Sequence, residues 1–329
     1  MSTLPKISIA IPTFNEENNI ERCLSSIQNQ RYAGKLEVFI IDGRSTDDTI
    51  KKAKKYNVIL LQNTSRQAEY GKKIGLEHAT GKYFMILDCD MDIVGSSWFE
   101  KMISPLEKDK TIVGSWTKFI SDANDASLNK YITLDAIQRD PLFSFLTPSI
   151  ESCVIEKNNE YWTLKYHKNK ILPAGFCIYR REDLVNTQIW QMKKYMELDN
   201  LILLLENGKN KYAYIQGIGV HHPFLTTLKN LLRKRIRNIK TMYFNQPDKR
   251  YWTWIDWNNP IEKLKIVIWV VYTFTIIPSC IVGIWKCIQY KTWVGLYEMP
   301  FNLLSTIVVM KEFLSHKEGR KMIINNNQR

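Results

Sequence analysis

Tyr83-Phe84-Met85-Ile86-Leu87-Asp88-Cys89-Asp90 is the stretch that decides the fold. Its apolar run reads as a buried strand. Two carboxylates one residue apart at the tip of a strand are costly unless something positive sits beside them. In an extended chain alternate side chains share a face, so the spacing aims Asp88 and Asp90 at one spot. Hard oxygen ligands that leave open positions suit Mg²⁺ or Mn²⁺ carrying a substrate phosphate, and Asp92 can join them. The plainer reading is an acidic turn after a strand, because Asp is a common turn residue.

Upstream, strands and helices alternate. Lys6 to Pro12 reads as a short buried strand stopped by proline. Thr13-Phe14-Asn15-Glu16-Glu17-Asn18 supplies cap and first-turn residues, and Ile20, Leu24 and Ile27 form the apolar stripe of a helix. Val38 to Ile41 is a second strand, ending at Asp42-Gly43-Arg44-Ser45-Thr46-Asp47. A helix to about Lys55, a strand at Val58 to Leu61 and a helix from Gly71 to Ala79 complete the approach to Asp88. Short links between alternating elements predict a parallel sheet wrapped by helices. Ligands bind beyond the carboxyl ends of such strands, and Phe14-Asn15-Glu16, Asp42 and Asp88-Cys89-Asp90 all fall there.

Downstream the pattern blurs. Trp98 to Leu106 reads as helix and Ile112 to Trp116 as strand, while 122–160 is polar and mixed, as expected of a variable acceptor-side insertion. Ile171 to Tyr179 returns to strand, with Gly175 allowing close approach of a ligand. Arg180 to Leu184 opens a helix. Met196-Glu197-Leu198-Asp199-Asn200 precedes another, ended by Gly208. Tyr212 to Ile215 is the last strand, closed by Gly217 to Pro223.

The 329 residues carry a formal net charge of +13, which points to phosphate, nucleic acid or an anionic membrane as partner. The apolar fraction excludes wholesale disorder. The 6 cysteines are scattered without a Cys-x-x-Cys pair, which argues against a zinc site or disulfide framework and for a reducing compartment. The N-terminus lacks the long apolar core of a signal peptide.

After Pro223 the composition shifts. Thr226 to Tyr243 reads as a basic amphipathic helix, with Lys229, Arg233, Arg237 and Lys240 opposite interleaved Leu and Ile, suited to an anionic membrane surface. Tyr251, Trp252, Trp254 and Trp257 follow, aromatics that favour the lipid–water boundary. Ile266 to Trp285 runs without acidic or basic residues, long enough to cross roughly 30 Å of hydrocarbon as one helix, with Pro278 tolerated inside it. Thr292 to Met310 is a second apolar stretch, weakened by Glu298 and Pro300, that would span, re-enter or lie in the interface. Basic residues on both flanks predict a hairpin with both ends cytoplasmic; the rival is a buried soluble helix pair.

Ile9 to Glu16, Ile41 to Asp47, and Ala79-Thr80-Gly81-Lys82-Tyr83 leading to Asp88-Cys89-Asp90 together resemble family 2 glycosyltransferases over roughly residues 5–223. The resemblance implies a GT-A fold, a nucleotide-binding α/β sheet joined to an acceptor-binding part. Matched position by position, it implies that Pro12, Phe14 and Glu16 line the nucleotide pocket, with the Phe14 ring near the base. Asp42 would accept a hydrogen bond from uracil or guanine, Arg66 would supply a cation near the nucleotide, and Asp88 would bind ribose or support the metal. Asp90, and His222 of the His221-His222 pair, would stand at a Mg²⁺ or Mn²⁺ ion on the diphosphate. Arg233 or Arg237 would reach the diphosphate once acceptor is bound. Plainer readings make Phe14 a core residue and Asp42 a helix cap.

Two departures stand out. The Glu-Asp pair that heads the acceptor-facing helix of the family is replaced by Glu197-Leu198-Asp199, so either carboxylate is a candidate base. Asp42 is followed by Gly43 rather than a second aspartate.

The expected organisation is a GT-A domain over 1–223 (nucleotide-binding to about 95, acceptor-binding over 96–223), a basic interfacial helix and aromatic linker over 224–260, and a membrane-associated hairpin and tail over 261–329. The expected function is inverting, metal-dependent sugar transfer from a UDP- or GDP-sugar to a lipid-linked, polyprenyl-diphosphate glycan at the cytoplasmic face of the cell membrane. The alternative is a polyprenyl-phosphate monoglycosyl transferase. Rivals of another class are a nucleic-acid-binding protein, disfavoured because the densest basic run abuts the apolar segments, and an inactive membrane scaffold.

Overall fold

The computed structural model describes residues 4–137, 141–167, 177–244, 250–251 and 259–324. The elements in chain order begin β1 (Ile7–Thr13), α1 (Ile20–Gln28), β2 (Leu36–Asp42), α2 (Thr49–Ala53), β3 (Ile59–Gln62), α3 (Ala68–His78), β4 (Tyr83–Ile86), β5 (Asp92–Val94), α4 (Trp98–Lys108) and β6 (Ile112–Ile120). They continue through α5 (Ser127–Ile132), α6 (Pro141–Leu146), β7 (Val154–Lys157), β8 (Tyr161–Lys165), β9 (Ile178–Arg180), α7 (Arg181–Val185), α8 (Glu197–Glu206) and β10 (Lys211–His221). The C-terminal helices are α9 (Leu228–Ile239), α10 (Pro260–Phe274), α11 (Ile277–Gln289), α12 (Glu298–Ser315) and α13 (Lys317–Ile324).

By contacts the chain forms two units, 1–120 with 149–222, and 121–148 with 223–329. The insertion expected at 122–160 is therefore shared: its helices α5 and α6 lie in the second unit, its strand β7 in the first.

One mixed sheet runs through the first unit in the order β3-β2-β1-β4-β9-β6-β10-β8-β7, with β5 added to β10. The half from β3 to β4 is parallel, as expected. The other half is mixed, because β9, β8 and β7 run antiparallel to their neighbours. Of these pairs only β7 and β8 are joined by a short hairpin connection; the others bring together strands distant in the chain. The β1, β2 and β4 strands are continuous Ile-, Val- and Phe-rich runs, the composition of strands covered on both faces; Ile9, Ile40, Phe84 and Met85 are fully buried. The helix α1 lays Ile20, Cys23, Leu24 and Ile27 on this core.

Parallel register aligns Thr13 with Asp42 and Asp42 with Gln62. Leu87 N–H donates to the Ala10 carbonyl at 3.0 Å. Phe14, Asp42 and Asp88 thus leave the sheet at one carboxyl edge.

Three sequence expectations need correction. Asp88 and Asp90 are not on an extended strand: β4 stops at Ile86, and Met91 N–H donates to the Asp88 carbonyl at 2.9 Å, closing a turn. The last strand does not close at Gly217; there φ is +73° and the register with β6 shifts between Ile215 and Gly219, a bulge that lets β10 run on to His221. The apolar run from Ile266 is not one helix. It breaks at Thr275-Ile276, where Ile276 has φ +62°, a conformation a β-branched residue rarely takes. Pro278, which lacks an N–H to continue a helix, then sits in the first turn of α11. The strand expected over Ile171 to Tyr179 falls largely outside the described residues; β9 covers its end. Trp252, Trp254 and Trp257 also lie outside them.

In the second unit α12 is the inner helix, burying Glu298, Phe301, Asn302, Ser305 and Thr306. Glu298 accepts hydrogen bonds from Tyr131 (2.6 Å), Tyr272 (3.2 Å), Asn302 (3.1 Å) and Lys286 (2.5 Å). Among the described residues, the helix over 293–315 (α12 with the 3-10 turn before it) is long and apolar enough to cross a membrane; α10 and α11 pass that test only together, bent by 82°.

Candidate functional site: an acidic turn at the carboxyl edge of the sheet

The Asp88–Met91 turn is pinned from beneath. Cys89 is 3 % exposed, and a hydrogen bond with the free thiol of Cys23, together with burial, holds its thiol far above the ordinary thiol range. With Cys89 turned into the core, Asp88 and Asp90 turn outward, their side chains 38 % and 36 % exposed. The inward–outward alternation expected of a strand survives, although the backbone is a turn.

The two carboxylates face different partners. Asp90 Oδ2 lies 3.3 Å from His222 Nε2. The His222 ring is nearly buried and packs against Phe119 with centroids 5.6 Å apart, which fixes its plane. Asp88 Oδ1 lies 3.3 Å from Lys72 Nζ, and the same ammonium hydrogen-bonds Glu197 Oε1. Glu16 is near enough to feel both aspartates: burial first, then the charges of Asp90, Asp47 and Asp88, push its carboxyl above the ordinary range, against a hydrogen bond from Asn19.

Lys72 was not anticipated from the sequence. It is 7 % exposed, and its burial follows from its neighbours. A Cβ on Gly75 would lie 2.4 Å from Ala10 Cβ, and one on Gly71 3.2 Å from Pro12 Cβ. These glycines let α3 settle directly on β1, which carries the adjacent lysine inside. The available signal was helical spacing: Lys72 shares a face with Leu76, which is fully buried. Contact with Asp88 and Glu197 outweighs the desolvation that opposes a buried ammonium, and the Lys72 pKa is raised.

A second network backs the turn. Arg22, from α1, pairs with Asp92 and donates through Nη2 to the Asp90 carbonyl at 2.7 Å. His221 Nδ1 lies 3.1 Å from Asp92 Oδ1 and 3.3 Å from Arg22 Nη1. Asp92 is thus engaged with Arg22 and His221, not with Asp88 and Asp90. The pairing of β10 with β5 sets His221 opposite Asp92.

On the other flank Phe14 is 43 % exposed, not a core residue, and the Arg66 guanidinium stands over its ring at 5.6 Å. Asn15, Arg44 and Arg66 all have positive φ. Asp42 ties its own loop: its carboxylate accepts from Ser45 Oγ at 2.6 Å and from Arg44 N–H at 3.1 Å. It caps a turn rather than a helix, and a carboxylate retains lone pairs for a further donor.

Of the remaining sequence candidates, Pro12 borders Gly71 on β1. Glu197 opens α8 with its side chain 26 % exposed, whereas Asp199 is 1 % exposed. Arg233 and Arg237 lie on the exposed face of α9, in the second unit.

Among the described residues no group of three or more His, Cys, Asp or Glu side chains is arranged to hold a metal ion. The Asp90–His222 pair nonetheless fits a shared ion. Adjacent donors on an octahedral Mg²⁺ or Mn²⁺, at about 2.1 Å each, stand about 3 Å apart, close to the 3.3 Å observed. Two protein donors leave the remaining positions to phosphate oxygens and water.

A mixed α/β sheet of this order, with an acidic turn and the Phe14 loop at its carboxyl edge, defines a protein of the GT-A class. The chain belongs to glycosyl transferase family 2, whose model matches residues 8–185. It is 30 % identical to an uncharacterized glycosyltransferase of Haemophilus influenzae, over 53 % of this chain and 58 % of that protein. It is 32 % identical to the GalNAc(5)-diNAcBac-PP-undecaprenol beta-1,3-glucosyltransferase of Campylobacter jejuni, over 29 % of this chain and 32 % of that one. The chain thus matches between about a third and three-fifths of these relatives' lengths. Among solved structures it is similar to S. aureus TarS 1–349, at TM-score 0.49 and 15 % identity, covering 98 % of this chain and 88 % of that one.

Proposed function

We propose that the chain is an inverting, metal-dependent glycosyltransferase. It would move a sugar from a UDP- or GDP-sugar to a lipid-linked, polyprenyl-diphosphate glycan at the cytoplasmic face of the cell membrane. The observation that carries this is the convergence of Asp88, Asp90, His222, Lys72 and Glu197 at one edge of the sheet. The relative that acts on an undecaprenol-PP-linked glycan supports the acceptor class, and the apolar helix faces of the second unit support attachment to a bilayer.

Phe14 and Arg66 would grip the donor base while Asp42 reads its edge. Asp90 and His222 would hold Mg²⁺ or Mn²⁺, which when bound offsets charge on a departing nucleoside diphosphate. Glu197 would take the proton from the acceptor hydroxyl as that oxygen bonds to the anomeric carbon. The bond to the nucleoside diphosphate breaks on the opposite side, so the anomeric centre inverts. Lys72, touching both Asp88 and Glu197, would fix the base relative to the donor. Asp199, buried, is the lesser candidate for the base. Arg233 and Arg237 are proposed to meet the diphosphate once acceptor is bound.

Labelled nucleotide sugars with Mn²⁺, offered to polyprenyl phosphate and separately to a polyprenyl-diphosphate-linked sugar, test this. Transfer to the second alone is expected. Robust product on polyprenyl phosphate would convert the protein to a monoglycosyl transferase, whose anionic acceptor needs no hydroxyl base. No transfer from any donor would favour the inactive scaffold.

A further inference from the structure

Building on the membrane-associated function proposed above, we infer that α10 and α11 enter one leaflet of an anionic bilayer as a bent pair that does not cross it. The turn at 290–292 then emerges on the side where α10 entered.

Each helix presents one continuous apolar face to the outside. On α10 this face is Leu264, Val267, Val271 and Phe274, from 46 % to 58 % exposed. On α11 it is Ile277, Ile281, Ile284 and Ile288, from 54 % to 73 % exposed. Both sets follow the helical repeat. Water-facing helices do not carry such stripes, and contiguous patches of this kind mark interaction surfaces. No Asp, Glu, Lys or Arg interrupts the sequence from Ile266 to Trp285, while Lys263, Lys265 and Lys291 flank the pair. Apolar faces edged by cations complement an anionic lipid surface.

The inner faces are polar or small and already occupied. Gly283 of α11 meets the 3-10 turn before α12 so closely that a Cβ there would lie 2.9 Å from the Gly295 carbonyl. Lys286 bonds Glu298, and Trp269 Nε1 donates to Thr306 Oγ1 at 3.0 Å. Only the outer faces remain for lipid.

Length and charge decide the topology. At 15 and 13 residues the helices are about 22 and 20 Å long, each short of the roughly 30 Å of a hydrocarbon core. The uncharged parts of the two helices, 266–274 and 277–285, are about 14 Å each, and bent by 82° they reach only about 20 Å end to end, too little for one span. The bend gives carbonyls beside the break other donors: Tyr272 O accepts from Thr275 Oγ1 at 3.4 Å, and Thr275 O from Ile277 N–H at 2.6 Å. A helix break in hydrocarbon requires such internal partners. If α12 alone crossed, the basic α9 and the basic stretch Lys317-Arg320-Lys321 would lie on opposite sides, against the preference of Lys and Arg for the cytoplasmic side. With the bent pair too short to cross, neither crosses.

Lys291→Cys and Lys317→Cys, each in the chain with Cys280→Ser and Cys287→Ser, which otherwise keeps only the buried Cys23, Cys89, Cys153 and Cys177, are probed in sealed vesicles of both orientations with a membrane-impermeant maleimide. The two positions are expected to label from the same face. Labelling of 291 only from the opposite face would overturn the inference. Ile281→Asp with Ile284→Asp is expected to weaken binding to phosphatidylglycerol-containing vesicles by about tenfold or more, with the melting temperature retained. Unchanged binding, or a detergent-free soluble dimer that these substitutions dissociate, would also overturn it. Neither readout uses catalysis, so an inactive chain with the expected labelling sinks the proposed reaction and leaves the topology standing.

Discussion

The ammonium of Lys72 is hydrogen-bonded to the carboxylate of Glu197, a residue 125 positions away. That contact, with the 3.3 Å approach to Asp88, joins the proposed base to the proposed donor site. Breaking a buried ion pair by removing one partner leaves an uncompensated charge. Lys72→Met removes the buried charge itself and leaves Asp88 and Glu197 partly exposed to water, so it is expected to lower stability by only about 1.5 kcal/mol and transfer by more than the unfolded fraction explains. Glu197→Gln leaves the buried Lys72 ammonium with Asp88 and an amide oxygen, so it should lower stability without unfolding the chain and lower kcat by about 10²-fold or more. Steady-state kinetics beside thermal melts would check both; a Glu197→Gln variant with full kcat would remove it as the base.

Asp90→Asn and His222→Gln are each expected to raise the Mn²⁺ or Mg²⁺ concentration for half-maximal transfer by about 10- to 100-fold. Chelator should abolish transfer by the unaltered chain and added metal restore it. Full transfer in chelator would exclude the metal-dependent mechanism.

Arg22 touches Asp90 through its backbone carbonyl and Asp92 through its side chain. Arg22→Ala is expected to loosen the turn and weaken metal activation by about tenfold, while Arg22→Lys recovers part of it. Metal titration of the three forms, with circular dichroism to confirm folding, would distinguish a positioning role from a general loss of structure.

Phe14 and Arg66 stand ring to guanidinium beside the Asp42 loop. Stacking of a base on an aromatic ring contributes about 1–3 kcal/mol. Phe14→Ala is thus expected to raise the KM for donor by about tenfold with little change in kcat, and melting should be unaffected because the ring is exposed. An unchanged KM would take Phe14 out of the nucleotide pocket.

Glu37 gives the molecule an acid limit. Burial opposes its ionisation, but hydrogen bonds from Lys6 (2.5 Å), Ser8 (2.6 Å) and Thr80 (2.9 and 3.0 Å) outweigh this and hold its carboxyl at about 2. A carboxyl depressed on folding stabilises the native state above its unfolded value near 4.5. That contribution is lost as pH falls from about 4.5 through 2. Glu37→Gln should flatten the stability profile across this window and lower stability near neutral pH by about 2–3 kcal/mol. Urea melts between pH 2 and 7 would read it.

The sequence by itself determined the alternating elements of the first half and the one edge at which Phe14, Asp42 and Asp88 emerge. Strand and helix periods and turn residues are local properties, and parallel connection then leaves the strand ends no other place. It also marked the apolar C-terminal segments, because their lack of charge is visible in composition alone. Only the tertiary structure decided that the acidic pair sits on a turn, with Asp90 facing His222 and Asp88 facing Lys72. Those partners lie far apart in the chain, and nothing local encodes their approach. Two glycines settling α3 onto β1 made Lys72 an interior charge, and a bulge at Gly217 carried the histidines to the rim. The break at Ile276 was likewise hidden, since a uniform apolar run records length but not the packing that bends it.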